Sequence, residues 1–554
     1  MSFRSRATGL VASVAAALLL ATAAAAPAAA APPHKPRPEP GWNMHVQIMS
    51  FNDFHGHLEA DEDGVGGAAQ LAGVIERERS QPGHRYSMTV STGDIIGGST
   101  FVSGLFQDEP AVEVAEAMGL EVATVGNHEF DEGWAELRRM IDGGCHPDKG
   151  CFTEGGYDGT SFGYLGANVV DAETGEQLLP GSYVKRVGGV QVGFVGVVTR
   201  ETATLVSPAG IEGIEFTDEV EAANAEVAKL QARGIKSIVL LAHEGGSSTG
   251  GSNECTDLTG PIVDINAGLS AEVDAIMTGH THASYVCTLA DPNGEPRLVT
   301  QANNYGNLLT ELDLVIDRRT KDVIRSTSSA VNHTVASTSP RSAEVDRIVN
   351  KWLELSEPLA EQVVGSAAED ITGDSSGNRG IETPMGNLVA DAILYGTSGA
   401  NGGAQLAFMN VGGVRASLLA GDITYAEAYA VAPFNNQLVT LDMTGAQIKE
   451  VLAQQYVADR GRQMLALGVS EGFTYTWDPT THTASNLQLN GQPMADDETY
   501  RVATLNFLAD GGDGFTAFGL GTNRTGGPED LANLVAYLQA NPGITTPGDR
   551  VAGL

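Results

Sequence analysis

Val125-Gly126-Asn127-His128-Glu129-Phe130-Asp131-Glu132-Gly133 follows directly on the apolar run Val122-Ala123-Thr124-Val125. The juxtaposition predicts a strand that ends, through a glycine corner, in a loop carrying an amide, an imidazole and a carboxylate. Asn127 offers a neutral oxygen suited to a hard or borderline cation. His128 and Asp131, three positions apart, can pair if a helical turn begins there. Alone, the segment also reads as a tight turn with an Asn cap and a solvated acidic flank. The decision rests on whether other strand ends carry matching groups.

They do. His45-Val46-Gln47-Ile48-Met49-Ser50-Phe51 runs into Asn52-Asp53-Phe54-His55-Gly56-His57, and Tyr86–Ser91 runs into Thr92-Gly93-Asp94. Ile238–Ala242 leads into His243-Glu244-Gly245-Gly246, and Val273–Met277 into Thr278-Gly279-His280-Thr281-His282. Stretches of helical spacing separate these runs, at 67–79, 109–118, 134–141 and 217–233. Such alternation is the pattern of an α/β sheet whose strand ends converge on one crevice.

Asp53, His55, Asp94, Asn127, His243, His280 and His282 therefore form a candidate ligand set for two divalent ions. In this reading Asp94 bridges, Asp53, His55 and His282 complete one ion, and Asn127, His243 and His280 complete the other. Oxygen and imidazole donors without thiolate fit zinc, manganese, iron or cobalt and do not choose among them. A pair of such ions suits phosphoryl transfer to water. His128, beside a ligand without being one, is placed to give a proton or hydrogen bond to the leaving oxygen, with Asp131 orienting it.

A chain of 554 residues exceeds one hydrophobic core, so two substantial domains are expected. The composition changes near Ser339-Pro340-Arg341, and residues 344–359 read as an amphipathic connector helix. The formal net charge of −37 repels polyanions and disfavours nucleic acid polymers and anionic membranes as partners. Arg4 and Arg6 precede an Ala/Leu/Val stretch and a small-residue cleavage pattern, as in a secretory signal peptide, and Pro32–Pro38 follows as a stiff tether. No later stretch is apolar enough to span a bilayer, so the product is expected outside the cell or at its envelope. For an exported chain, the four cysteines are expected as Cys145–Cys151 and Cys255–Cys287.

The motifs Asn52–Gly56, Gly93-Asp94, Gly126–Asp131 and Gly279–His282 resemble the calcineurin-like metallophosphoesterases. Glu382–Leu388, Asn410–Arg415, Ala432–Asn436 and Asn506–Phe515 are similar to the second domain of the secreted 5′-nucleotidase and UDP-sugar hydrolase family. The resemblance implies a four-layered α/β metallophosphoesterase domain at 44–337, a linker helix at 338–361 and an α/β substrate-binding domain at 362–554, after a signal peptide at 1–31 and the tether at 32–43. It implies that Phe434 and Phe507 sandwich a nucleobase, that Asp513 meets ribose hydroxyls, that Arg379 and Arg415 engage phosphate and that Asn410 contacts the nucleotide. The function so implied is metal-dependent release of phosphate from nucleoside 5′-monophosphates, extending to di- and triphosphates or UDP-sugars. The alternatives are a 2′,3′-cyclic-nucleotide phosphodiesterase with 3′-nucleotidase activity, a thiosulfohydrolase, and a catalytically silent nucleotide-binding surface protein. Because each domain would supply half of the site, a hinge at the connector is also expected.

Overall fold

Apolar runs flanked by polar loops become buried strands because both of their faces find partners. The computed structural model describes residues 42–554 apart from 62, 207, 374–376, 435 and 459. The leader and all but the last two residues of the tether lie outside the described residues.

Two mixed sheets form the first half. In one, Asn43–Phe51, Ser87–Ser91, Leu120–Thr124 and Gly163–Leu165 lie side by side and parallel, and Leu308–Asp317 joins antiparallel beside Asn43–Phe51. In the other, Pro296–Ala302, Ala275–Thr278, Ser237–His243 and Val190–Val198 run parallel, with antiparallel strands at both edges. Val46, Ile48 and Val122 meet Val192, Phe194 and Val239 between the sheets. Met49 and Phe51, on the opposite face of their strand, pack with Leu71, Val74 and Val112 of the helices Ala68–Arg79 and Glu109–Ala117. The second sheet turns Ile238 and Leu240 toward Val227 and Ile262 of Glu219–Ala232 and Pro261–Gly268. Helix, sheet, sheet and helix give the four layers expected.

The chain's second half is built on a five-stranded sheet in the order Leu467–Val469, Leu406–Asn410, Thr499–Leu505, Gln437–Thr444, Thr522–Glu529. Helices Pro384–Thr397 and Asp530–Ala540 cover one face, and Gly445–Ala453 lies with Phe473–Asp478 on the other. Both expected disulfides, Cys145–Cys151 and Cys255–Cys287, are formed.

The connector helix Ala343–Ala360 is docked rather than free. Val345, Ile348 and Trp352 belong to the apolar cluster of the first sheet's helices, and Trp352 Nε1 donates to Glu113 at 2.7 Å. A hinge in the helix body would have to pull this face into water.

The same contact fixes Gly73. Alanine there gains about 1 kcal/mol of helix propensity, but its Cβ would sit 2.0 Å from the backbone oxygen of Pro340, just before the connector helix. Relieving such a clash against backbone costs roughly 1–3 kcal/mol, and more where the backbone cannot yield. Gly73→Ala is therefore expected to lower stability despite its better propensity, read as a reduced denaturant midpoint at unchanged slope. A raised midpoint would show that the helix and the 340 loop separate freely.

Candidate metal centre and substrate cleft

The five ligand-bearing strand ends, three from one sheet and two from the other, deliver their side chains to one place. His282 Nε2 stands 3.6 Å from Asp53 Oδ1 and 3.3 Å from His55 Nε2. His243 Nε2 lies 3.1 Å from Asp94 Oδ2 and 3.2 Å from Asn127 Oδ1, and His280 Nδ1 is 2.9 Å from that same amide oxygen. His55 Nε2 is 3.7 Å from Asp94 Oδ2, so Asp94 faces both groups. Asp53/His55/His282 and Asp94/His243/His280 each bring their donor atoms within 4.8 Å of one another.

The backbone is bent to achieve this. Asp53, His55, Asp94, His280 and His282 all have left-handed φ, between 48° and 71°. Each such non-glycine residue costs about 1–2 kcal/mol. Local hydrogen bonds hold the conformation: Asp53 N donates to Gly93 O and His55 N to Asp94 O, both at 3.0 Å. Gly126 is required for another reason, since a Cβ there would fall 2.1 Å from Asp94 Oδ1.

Supporting contacts orient the donors. His55 Nδ1 donates to Gly97 O at 2.8 Å and His243 Nδ1 to Thr92 O at 2.7 Å, leaving each Nε2 for a cation. Buried Glu129 accepts from Asp94 N and Ile95 N, both at 2.8 Å, and from Gly126 N at 2.5 Å, tying the second strand end to the third. Burial, reinforced by Asp94, pushes the Glu129 carboxyl up to about 7.

The electrostatics ask for positive charge. Burial, with Asp94 close by, raises Asp53 to about 7. Burial holds His280 and His282 down to about 3, so both imidazoles are neutral and available as ligands. His243 goes the other way, to about 10, because Asp94 and Asp53 outweigh its burial. Two buried carboxylates thus demand a proton on His243 or a cation in its place. Imidazole, carboxylate and amide donors, without thiolate, fit a divalent ion of the zinc, manganese, iron or cobalt class.

His128 and Asp131 sit beside this centre. A single 3-10 turn, His128–Phe130, brings His128 Nδ1 to 2.8 Å from Asp131 Oδ2, which also accepts from Gly98 N at 2.9 Å. His128 N donates to Asp94 Oδ1 at 2.9 Å. Burial opposes charge on the imidazole, but Asp131 and Asp94 prevail and raise its pKa above 6.5.

The chain's second half closes over His128. The Phe434 ring stacks on the His128 ring with centroids 6.2 Å apart, and the Arg415 guanidinium lies 5.6 Å from the Phe434 centroid. Burial lowers Arg379 to about 10, with help from the neighbouring charges of Arg415 and Arg462. Asn410 Nδ2 donates to Asp513 Oδ2 at 3.0 Å. Phe507 packs beside Gly512, between the two apolar clusters of its domain. The sequence reading did not assign roles to Glu129, Arg462, or the Tyr305 ring that stacks on His57 at 3.8 Å. Glu129 carried a signal, lying inside the opening motif; Arg462 and Tyr305 lie in unpatterned loops.

Comparison with known proteins agrees with this geometry. Residues 46–284 match the calcineurin-like phosphoesterase family model, and residues 363–520 match that of the 5′-nucleotidase C-terminal domain. The chain is 33% identical to cell wall protein Lmo0130 of Listeria monocytogenes, across 89% of this chain and 67% of that protein. It belongs to the 5′-nucleotidase family of calcineurin-like phosphoesterases. It is also similar to endonuclease YhcR of Bacillus subtilis, 37% identical over 90% of this chain, which spans 40% of YhcR's length. The structure of a 5′-nucleotidase precursor from Thermus thermophilus superposes with a TM-score of 0.74 at 25% identity, covering 92% of this chain and 99% of that one. Membership in a metallophosphoesterase family implies divalent metal ions, and the donor groups described above fit them.

Proposed function

We propose that this 5′-nucleotidase family member is an exported, metal-dependent hydrolase that releases inorganic phosphate from nucleoside 5′-phosphates. Its reach extends to di- and triphosphates or UDP-sugars. The observation that carries the reading is the placement of Phe434 over His128, with Arg415 beside the Phe434 ring, at the edge of the paired ligand groups. Nucleobase and phosphate binders on one half of the chain thereby face the ligand centre on the other.

Asp53, His55, Asp94, Asn127, His243, His280 and His282 would hold two divalent ions, which would supply activation of water and neutralisation of phosphoryl charge. Asp53 and Asp94 fix the charge of the centre, and Asn127 adds a neutral oxygen. His128, its Nδ1 engaged by Asp131, carries the proton destined for the leaving oxygen on Nε2. Arg379 and Arg415 grip phosphate oxygens, with Arg462 adding to the positive field. Phe434 and Phe507 clamp the base, and Asn410 with Asp513 reads the ribose side of the nucleotide. We assign the first domain to 44–337, the linker to 338–361 and the substrate domain to 362–554. Export past the leader fits the cell-wall designation of the Listeria relative, and no described helix is long and apolar enough to cross a membrane.

The test is phosphate release by the mature chain from AMP, ATP, UDP-glucose, 2′,3′-cyclic AMP and 3′-AMP, with manganese, zinc or chelator. Metal-dependent release led by AMP or ATP upholds the proposal; preference for the cyclic and 3′ substrates replaces it, and silence on every substrate refutes it. With AMP as substrate, Phe434→Ala is expected to raise KM about ten-fold with a smaller change in kcat, since base stacking contributes roughly 1–3 kcal/mol. An unchanged KM would remove Phe434 from the base site.

A further inference from the structure

A second group of metal-type side chains lies far from the strand ends just described. Gln47 stands on the strand Asn43–Phe51, six residues before Asp53, which follows that strand's end. There, on the sheet face that carries the helices, Glu311 and His333 come from the neighbouring strands Leu308–Asp317 and Ser329–Thr334. Glu78 comes from the last turn of helix Ala68–Arg79, and His84 from the loop that follows.

The donors converge. Glu78, Glu311 and His333 offer atoms within 4.8 Å of one another. His84 Nε2 lies 3.4 Å from Glu311 Oε1, and His333 Nε2 lies 2.8 Å from Glu311 Oε2. Ligand-to-ligand edges of a tetrahedral zinc site are about 3.3 Å for metal–ligand bonds near 2.0 Å. His84 Nδ1 lies 3.1 Å from Glu78 O and 2.6 Å from Gln47 Nε2, and the ring turns its Nε2 toward Glu311. Both carboxylates are about 10% exposed and both imidazoles 22%, so the group is largely enclosed yet reachable from solvent. Half-exposed Arg77 reaches Glu78 Oε1 at 2.6 Å.

Gln47 lies beneath these donors. Gln47, 1% exposed, turns its amide nitrogen to this cluster, where Nε2 donates to Glu311 Oε1 at 3.0 Å and to Glu78 O at 3.2 Å and lies 2.6 Å from His84 Nδ1. Its carbonyl oxygen is buried without a hydrogen-bond donor. A buried amide oxygen normally has one.

We propose that Glu78, His84, Glu311 and His333 form a further binding site for a divalent transition ion of the zinc class, with Gln47 beneath it. Such an ion clamps the end of helix Ala68–Arg79 to the two strands and acts on the fold rather than on the reaction.

The test counts zinc. The unaltered mature chain and a His84→Gln/His333→Gln variant are dialysed against zinc, and bound metal is measured by elemental analysis alongside zinc-induced shifts in melting temperature. The variant is expected to hold one equivalent less than its parent, whatever the parent's total, and to lose part of the zinc-dependent gain in melting temperature while keeping phosphate release. Equal counts overturn the proposal. Should the variant not fold, crystals of the unaltered chain soaked in zinc decide it by anomalous scattering: a peak within bonding distance of His84, His333 and Glu311 is expected, and its absence is decisive against the site. A peak with equal counts in solution marks binding at crystal concentration only and also overturns it. The zinc count, the melting shift and the anomalous peak do not depend on the proposed nucleotidase activity.

Discussion

Asp94→Ala is expected to abolish phosphate release, lowering kcat/KM by at least about three orders of magnitude, and to strip bound metal from the centre. Asp94 is 1% exposed and is the acid that faces both ligand groups, with Oδ2 at 3.1 Å from His243 Nε2 and 3.7 Å from His55 Nε2. Bound ions contribute several kcal/mol to a phosphoryl-transfer transition state, and each 1.36 kcal/mol is ten-fold in rate. Removing the carboxylate also takes the main charge partner from His243, which then sheds its proton readily in so buried a place. Fold and function therefore need separating. Asp94→Asn keeps the size of the side chain and an oxygen that can accept from His128 N, the bond now made at 2.9 Å. It is expected to remain folded by near-ultraviolet circular dichroism, yet to bind metal more weakly and turn over far more slowly than the parent. A fully metallated and active Asp94→Asn protein would exclude Asp94 as the shared ligand, whatever the alanine variant does.

How much of this centre could be read from the chain follows from what its residues depend on. Ligand types at strand ends are local facts, so Asp53, His55, Asp94, Asn127, His243, His280 and His282 were legible, and parallel strands carried them to one end. The four layers were implied by the family resemblance, and strands such as Ile238–Ala242, apolar without alternation, agree with it because both of their faces must be covered. The left-handed backbone at five of these positions was not legible, because aspartate and histidine have no strong preference for it; tertiary hydrogen bonds impose it. Arg462 gave no signal because its value lies in standing near Arg379, a relation made by folding. Amphipathy announced the connector helix without naming its partner, and Trp352 buried among the first domain's helices supplies that answer. The His84 group escaped for the same reason: its members are scattered from 78 to 333 and meet only across the sheet.

Asp131→Asn is expected to lower kcat about 10–100-fold and to move the alkaline limb of its pH profile to lower pH, with little change in KM. The sign follows from the environment. His128 must be protonated to serve the leaving oxygen, and Asp131 with Asp94 raises its pKa against the effect of burial. Its acid form thus persists above pH 6.5, and kcat falls only as pH rises through the elevated value. Asparagine removes the charge but keeps an oxygen for Gly98 N, so the loop geometry survives while the imidazole gives up its proton earlier. Contacts of this supporting kind typically matter by 10–100-fold, and the proton donor itself by 10²–10⁴-fold. His128→Gln should therefore lose more activity than Asp131→Asn and should lose the alkaline limb as well. Replacing the nucleotide by p-nitrophenyl phosphate separates proton donation from electrostatic or steric help. Nitrophenolate leaves without being protonated, so the His128→Gln deficit should shrink sharply on that substrate if His128 is the acid. An equal deficit on both substrates, or an alkaline limb that stays in place in Asp131→Asn, would assign the pair to holding Asp94 through the His128 backbone instead of to moving a proton.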